Sequence, residues 1–228
     1  MLDRNQHEVV LKKILFDIYN DCDLSPLLGF KGGTAAYLFY GLNRFSVDLD
    51  FDLLEEDKSE VVFEKIKKIV SQYGTIKDEK MKYFTIYFML SYAQQLQNVK
   101  VEISTRVGSK NRYELYNYLG LPIKTMTKDC MVSNKLLAVM DRKNFASRDL
   151  FDAHFFLKNG WEVNEEIIKE RTGKTKKEYF AQLVRFLKKK EGKLSILFGL
   201  GELVDSKQKS FIKTKLLKEL IYLLEIQG

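Results

Sequence analysis

Three aspartates spaced two apart, Asp48, Asp50 and Asp52, alternate with Val47, Leu49, Phe51 and Leu53 in the run VDLDFDL. In a β-strand this alternation places the carboxylates on one face and the apolar side chains on the other. Arg44 and Ser46 fall on the aspartate side of the same count. Like charges two residues apart stand ~7 Å from each other along a strand and repel unless a cation sits between them. Upstream, Gly32 and Gly33 open a segment that reads as a short helix over Thr34 to Tyr40. A diglycine at a helix start leaves backbone N–H groups free to approach an anion closely. A phosphate cradle ahead of a carboxylate pair suits metal-dependent chemistry on a nucleoside triphosphate. Asp and Gly are also turn formers, and a DxD pair is also found on solvated strand faces, so these residue types alone leave that alternative open.

Two carboxylates rarely complete a two-metal site, and a later segment offers a third. In NVKVEIST, Val99, Val101 and Ile103 point one way while Lys100, Glu102 and Ser104 point the other. Glu102 is the only acid between Glu79 and Glu114. Further along, Lys135, Arg142 and Asp149 recur every seven residues, near one stripe if a single helix runs through them. Lys135 interrupts the apolar run KLLAVM, so its ammonium must reach water or meet an anion. Ion pairs from Lys135 and Arg142 to Asp149 or Asp152, locking two helices together, are the alternative to a ligand-binding role.

The elements that must hold these residues read as follows. Helical spacing of apolar residues covers Glu8 to Tyr19 and Lys58 to Tyr73. Aromatic and β-branched residues predict strands over Tyr83 to Leu90 and Val99 to Thr105. Asp21 to Leu28 and Gly108 to Pro122 read as loops. From Thr127 the pattern is helical: Asp129 to Asn144, Ser147 to Lys158, Lys176 to Lys190 and Lys207 to Ile226. Strands crowd the first half and helices the second, which predicts an α+β fold with a mixed β-sheet, flanking helices and a C-terminal helical domain. The expected domains are 1–125 and 126–228.

The run KGGTA followed by RFSVDLDF resembles the first motif of the nucleotidyltransferase superfamily, in the version carried by the AbiEii/AbiGii-type toxins. The segment from Ser133 to Leu157 resembles a second signature of that family, a helical Lys, then an Arg, then Arg-Asp-x-x-Asp. The two motifs come in the family's order. The resemblance implies a nucleotidyltransferase-like sheet and a toxin of a type IV toxin–antitoxin or abortive-infection system. It implies that Asp48, Asp50, Lys135 and Asp149 are catalytic, with Lys135 binding phosphate. Gly32, Gly33, Thr34, Ser46, Arg44 and Arg142 would serve nucleotide binding. Asp48, Asp50 and Glu102 would hold Mg²⁺, with Mn²⁺ a possible substitute; Asp is the family's more usual residue at the third position. Arg148 and Asp152 would brace the helix pair. The substrate implied is an NTP, the acceptor an RNA such as a tRNA 3′ end, and the partner an antitoxin encoded nearby. A small-molecule acceptor and an inactive nucleotide-binding module remain as alternatives.

With 228 residues, 45% hydrophobic and 13% aromatic, the composition is that of a globular chain. The polar start MLDRNQHEVVLKK predicts no signal peptide, and no apolar run approaches the ~18 residues that span a bilayer, so a cytoplasmic location is expected. Cys22 and Cys130 lack metal or redox spacing and are expected to pack unbridged. His7 and His154 are expected at the surface and in the core respectively. The net charge of +7 is unevenly spread. Lys169 to Lys218 carries 15 Lys and Arg against 5 Asp and Glu, a cationic stretch suited to a polyanion such as RNA, or else a solvated helical face.

Overall fold

The computed structural model describes residues 3–92, 97–106, 108–142, 145–192 and 196–228. Backbone packing divides the chain into two compact units: 1–41 with 45–126, and 42–44 with 127–228.

The first unit is built on a mixed seven-stranded sheet in the order β3-β4-β5-β2-β1-β7-β6. Its strands are β1 (Leu28–Lys31), β2 (Asp48–Leu53), β3 (Thr75–Lys82), β4 (Thr85–Tyr92), β5 (Gln97–Ser104), β6 (Tyr113–Tyr118) and β7 (Leu121–Met126). The central strand β2 pairs antiparallel with β1 and parallel with β5, and β5 pairs antiparallel with β4. In this register Leu49, Val101 and Phe88 form one row, and Phe51, Ile103 and Ile86 the next, all fully buried. Burying each such side chain contributes about 1.5–3 kcal/mol, which pins the register, since a one-residue slip would turn every one of them outward. Helices α1 (Arg4–Asn20) and α3 (Ser59–Ser71) cover this sheet with Leu11, Ile14, Leu15, Ile18, Val62, Ile66 and Val70. Helix α2 (Gly32–Tyr40) follows β1 directly.

Several expectations are corrected here. The stretch 108–122 is not all loop: β6 and β7 form a hairpin through Leu119 and Gly120, whose positive φ values of 51° and 89° match the twist of a tight turn. A leucine at such a position hides the turn from sequence reading. Strand β3 is charged, TIKDEKMK, and lies at the sheet edge, where lysines guard against further pairing and no apolar alternation is needed. His7 is fully buried, not exposed; its Nε2 lies 3.0 Å from the Val47 carbonyl and its Nδ1 2.5 Å from the Tyr92 hydroxyl. Burial lowers the His7 pKa, outweighing the hydrogen bond to the Val47 carbonyl and the nearby Asp48 charge, which raise it.

The second unit is helical: α4 (Lys128–Asp141), α5 (Ser147–Lys158), α6 (Glu165–Thr172), α7 (Lys176–Lys190), α8 (Ser206–Thr214) and α9 (Leu216–Gln227). Helix α5 packs against α4 and α9, burying Leu150, Phe151, Ala153, Phe156 and Leu157. The long helix expected over Lys207 to Ile226 is two helices, because Lys215 departs from helical dihedrals (φ −127°, ψ −31°). Helix α6, capped by Asn164, was too short and polar to read from periodicity. The expected run of α4 to Asn144 ends outside the described residues. Among the described residues, no helix is long and apolar enough to cross a membrane. Cys22 is exposed rather than packed, Cys130 is buried, and both are free thiols.

Gly29 ties the fold to the site. A Cβ there would lie 2.3 Å from the ring of Tyr113, which crosses the strand and donates from its hydroxyl to Asp52 Oδ2 at 2.5 Å. Gly29→Ala is expected to destabilise the protein by about 1–3 kcal/mol through overpacking, read as a lowered urea midpoint. An unchanged midpoint would mean that Tyr113 moves aside at no cost.

Candidate functional site

The polar face of β2 carries the carboxylates of the first unit. Asp48 and Asp50 are half-buried, while Asp52 is 1% exposed. Asp52 is taken up by the fold: Lys31 Nζ lies 2.5 Å from its Oδ1, and Tyr113 and Asn111 reach its Oδ2. The register continues the polar rows across the sheet. Lys31, Asp50, Glu102 and Tyr87 are successive neighbours on β1, β2, β5 and β4, and Asp48 stands opposite Lys100.

Above this face begins α2. Gly32 has φ +78°, and a Cβ built on it would meet Asp50 Oδ2 at 2.3 Å. Only glycine allows the left-handed turn here and lets the Asp50 carboxylate rest against the helix start. The first turn of α2 has no side-chain cap, so its N–H groups present the positive end of the helix beside two carboxylates. A triphosphate and a cation can share such a place, the phosphates on the N–H groups and the cation between phosphate and carboxylate oxygens. Gly33 lies buried in the same turn.

Not every expected residue faces this place. Thr34 is fully buried; its hydroxyl lies 2.9 Å from Ser46 Oγ and donates to the Asp48 carbonyl, so this pair clamps the start of β2. Arg44 does not share the aspartate face. The chain bends at Asn43 and Arg44, outside β2, and Arg44 packs with the second unit. Glu102 is exposed, and among the described residues no group of three or more His, Cys, Asp or Glu side chains could hold a metal. The expected three-carboxylate set is therefore not assembled. The strand register brings the backbones of Asp50 and Glu102 side by side, but the longer Glu side chain extends into solvent. Two carboxylates beside the glycine helix start fit a cation that completes its shell from substrate phosphates, as Mg²⁺ commonly does.

The second unit gathers the remaining residues into a buried ion-pair network. Asp152, on α5, is fully buried and receives Arg44 in bidentate fashion, Nε to Oδ1 at 2.6 Å and Nη2 to Oδ2 at 2.7 Å. Lys135, on α4, reaches Asp149 Oδ1 at 3.0 Å and Asp152 Oδ2 at 3.1 Å. Arg142 Nε stands 2.8 Å from Asp149 Oδ2, yet that buried oxygen has no aligned hydrogen-bond donor. Arg148 is half-buried. Lys135, Arg142 and Asp149 do not lie on one helix stripe: α4 ends at Asp141 and α5 begins at Ser147, so the seven-residue spacing is bridged by a helix–helix contact. Burial would raise the Asp152 pKa, but Arg44 and Lys135 outweigh it and hold the carboxyl below its ordinary value of 3.8. Burial would lower the Lys135 pKa, but Asp149 and Asp152 raise it above 10.5. Periodicity could not pick out Asn43–Arg44 as part of this helical unit, because that segment is distant in sequence.

A family model described as Nucleotidyl transferase AbiEii toxin, Type IV TA system, matches residues 13–218. Among solved structures, JHP933 from Helicobacter pylori is 24% identical with a TM-score of 0.59, covering 100% of this chain and 95% of that one. A second H. pylori protein, provisionally described as a nucleotidyltransferase, is 24% identical with a TM-score of 0.61, covering 100% of this chain and 99% of that one. These two likenesses establish the fold. No curated protein matches the chain.

Removing one partner from a buried ion pair costs roughly 3–5 kcal/mol, so Asp152→Ala is expected to lower stability by that order in urea denaturation. The pH profile follows from the directions of the shifts. The Asp152 contribution is complete above its unfolded value of 3.8 and is lost as pH falls through the lower folded value. The Lys135 contribution is complete below 10.5 and is lost as pH rises through the higher folded value. A variant lacking Asp152 that loses stability on acidification as steeply as the parent would contradict the assignment.

Proposed function

The chain belongs to the AbiEii nucleotidyl transferase toxin family of type IV toxin–antitoxin systems, and from that premise we propose how its residues perform the transfer. The protein is a nucleotidyltransferase, and its family pairs such an enzyme with an antitoxin. We propose that an NTP binds with its phosphates at the start of α2, on the N–H groups that follow Gly32. Asp48 and Asp50 supply oxygen ligands for Mg²⁺ or Mn²⁺, and Glu102 joins them only by a rotation of its side chain. A divalent cation bound there supplies charge neutralisation at the phosphates and acidification of an acceptor hydroxyl.

The residues themselves do the positioning. Thr34 and Ser46 fix the start of β2, which holds the Asp48 backbone in place. Lys31 and Tyr113 immobilise Asp52, so the strand end beneath the carboxylate pair is rigid. The acceptor hydroxyl attacks the α-phosphorus and loses its proton to solvent, the bond from the α-phosphorus to the α,β-bridging oxygen breaks, and pyrophosphate leaves. Such sites work by orientation and electrostatic stabilisation rather than by covalent chemistry of the protein. The acceptor we propose is RNA, such as a tRNA 3′ end, supported by the excess of ten positive charges between Lys169 and Lys218.

The observation that carries this reading is the Asp50 carboxylate seated on Gly32 at an uncapped helix start. The test is to incubate the protein with each labelled NTP, Mg²⁺ and total RNA and to look for labelled RNA. Asp48→Asn and Asp50→Asn are each expected to abolish labelling and to remove the rise in melting temperature that Mg²⁺ with NTP confers on the parent. Full labelling by either folded variant would sink the metal assignment, and labelling of small molecules alone would replace RNA as acceptor.

Lys135 and Asp149 are proposed to take part in transfer as the family resemblance implies, beyond their ion pair. Lys135→Met separates the two roles. If the lysine serves phosphate, NTP affinity by calorimetry falls by about tenfold or more, in line with the loss of a charge-assisted contact. A lowered melting temperature with unchanged NTP affinity would leave it a helix lock only.

A further inference from the structure

The helical unit contains a cavity of about 600 Å³ that the transfer chemistry does not use. Its apolar surface is Phe151 and Phe155 from α5 and Phe211 from α8. Phe151 is buried, whereas Phe155 and Phe211 keep part of their rings accessible. His154 lies against Phe211 with ring centroids 5.2 Å apart, and its Nε2 is occupied by Glu219 at 3.0 Å. The rim is cationic and rich in amides. Lys158 stands 5.7 Å from the Phe211 ring centroid and 3.5 Å from Glu219, and that carboxylate is shared between His154 and Lys158. Lys207 is exposed and has no ion-pair partner among the described residues. Asn159 donates to the Phe155 carbonyl and keeps its amide oxygen open.

Gln208 explains why the rim is ordered. Its amide caps α8 through Asp205 and also donates to the Asn43 carbonyl, which holds Asn43 at the cavity edge with its side-chain amide unspent. Helix α8 brings Lys207, Lys209 and Lys213 with no acid of its own. Aromatic faces, unspent amides and lysines in one concavity are what an unpaired nucleobase and its flanking phosphates require. The volume lies within the range of small-ligand sites. An acidic peptide would satisfy the lysines but would leave the aromatic faces and amides without a planar partner.

We propose that this cavity receives one unpaired base of a single-stranded RNA, stacked on Phe211 and Phe155, with the adjoining phosphates on Lys158 and Lys207. The inference rests on the reading of RNA as the acceptor and adds to it a specific holding point in the helical unit. Base–aromatic stacking is insensitive to salt, whereas phosphate contacts release counterions, and the two contributions can be measured apart.

The experiment titrates the full chain into a fluorescein-labelled, mixed-sequence single-stranded RNA of about twelve nucleotides across a range of salt, by anisotropy. Phe211→Leu is expected to weaken binding about tenfold with the salt slope unchanged. Lys158→Glu with Lys207→Glu is expected to weaken binding and flatten the slope of log K against log salt by about 1.4, the loss of two single-strand phosphate contacts. Both lysines are exposed, so this pair tests the cavity even if Phe211→Leu fails to fold. If the parent binds RNA and the lysine pair binds it equally well, the cavity is not the holding point, while RNA remains the acceptor. If the parent binds no RNA at low salt, the inference falls together with the acceptor reading. RNA affinity retained by the variants alongside lost binding of the antitoxin would also overturn it, in favour of a protein partner.

Discussion

The period-two alternation of β2 is the constraint on which the first unit depends. Leu49, Phe51 and Leu53 are driven into a core shared with β5 and β4, and that same burial turns Asp48 and Asp50 outward. Hydrophobic burial is non-directional, but in a strand it becomes directional, because the pleat leaves each carboxylate no face but the polar one. The repulsion between the carboxylates is thus carried by the core, which stabilises the strand more than two like charges in a solvated setting destabilise it.

Glycine and hydrogen bonding then shape the charged strand face that we propose as the site. Gly29 lets Tyr113 lie across β1 and secure Asp52, and Gly32 lets Asp50 lie against the start of α2. Asp52 is committed to structure, and Asp48 and Asp50 stand half-buried on the same strand face. Thr34 and Ser46, which the resemblance implies for nucleotide contact, join the helix to the strand, with the Thr34 hydroxyl bonded to Ser46 Oγ and the Asp48 carbonyl. Their contribution is the rigidity of the spacing between the α2 N–H groups and the Asp48 backbone. Precise placement of pre-oriented groups is where most of the rate enhancement of phosphoryl chemistry arises.

In the helical unit the corresponding constraint is electrostatic. Four charged residues, Arg44, Lys135, Asp149 and Asp152, are almost wholly removed from water, and each is tolerable only because the others are present. The pairing of Arg44 with Asp152 is bidentate, which a lysine could not reproduce. The network joins α4 to α5 and carries the segment 42–44 with them. Asp149 is the incompletely served member, with one buried oxygen lacking an aligned donor, and it sits in the first turn of α5 where the helix dipole favours an anion.

The strand–helix alternation of the first half, the aspartate face, the diglycine helix start and α5 were all legible in the amino-acid sequence, because each is written in local periodicity or in backbone chemistry. The family motifs were legible for the same reason, being short runs with residues at fixed offsets. What the sequence could not yield depends on partners far along the chain. Edge strand β3 and the β6–β7 hairpin have little apolar signal because their neighbours, not their own side chains, make them strands. The burial of His7, the departure of Arg44 from the aspartate face and the breadth of the Asp152 network follow from contacts between residues forty to more than a hundred positions apart. Local periodicity determined which face each side chain takes on its own element; only tertiary packing decided which distant residues each of those charges would meet, because that depends on contacts the local pattern does not encode.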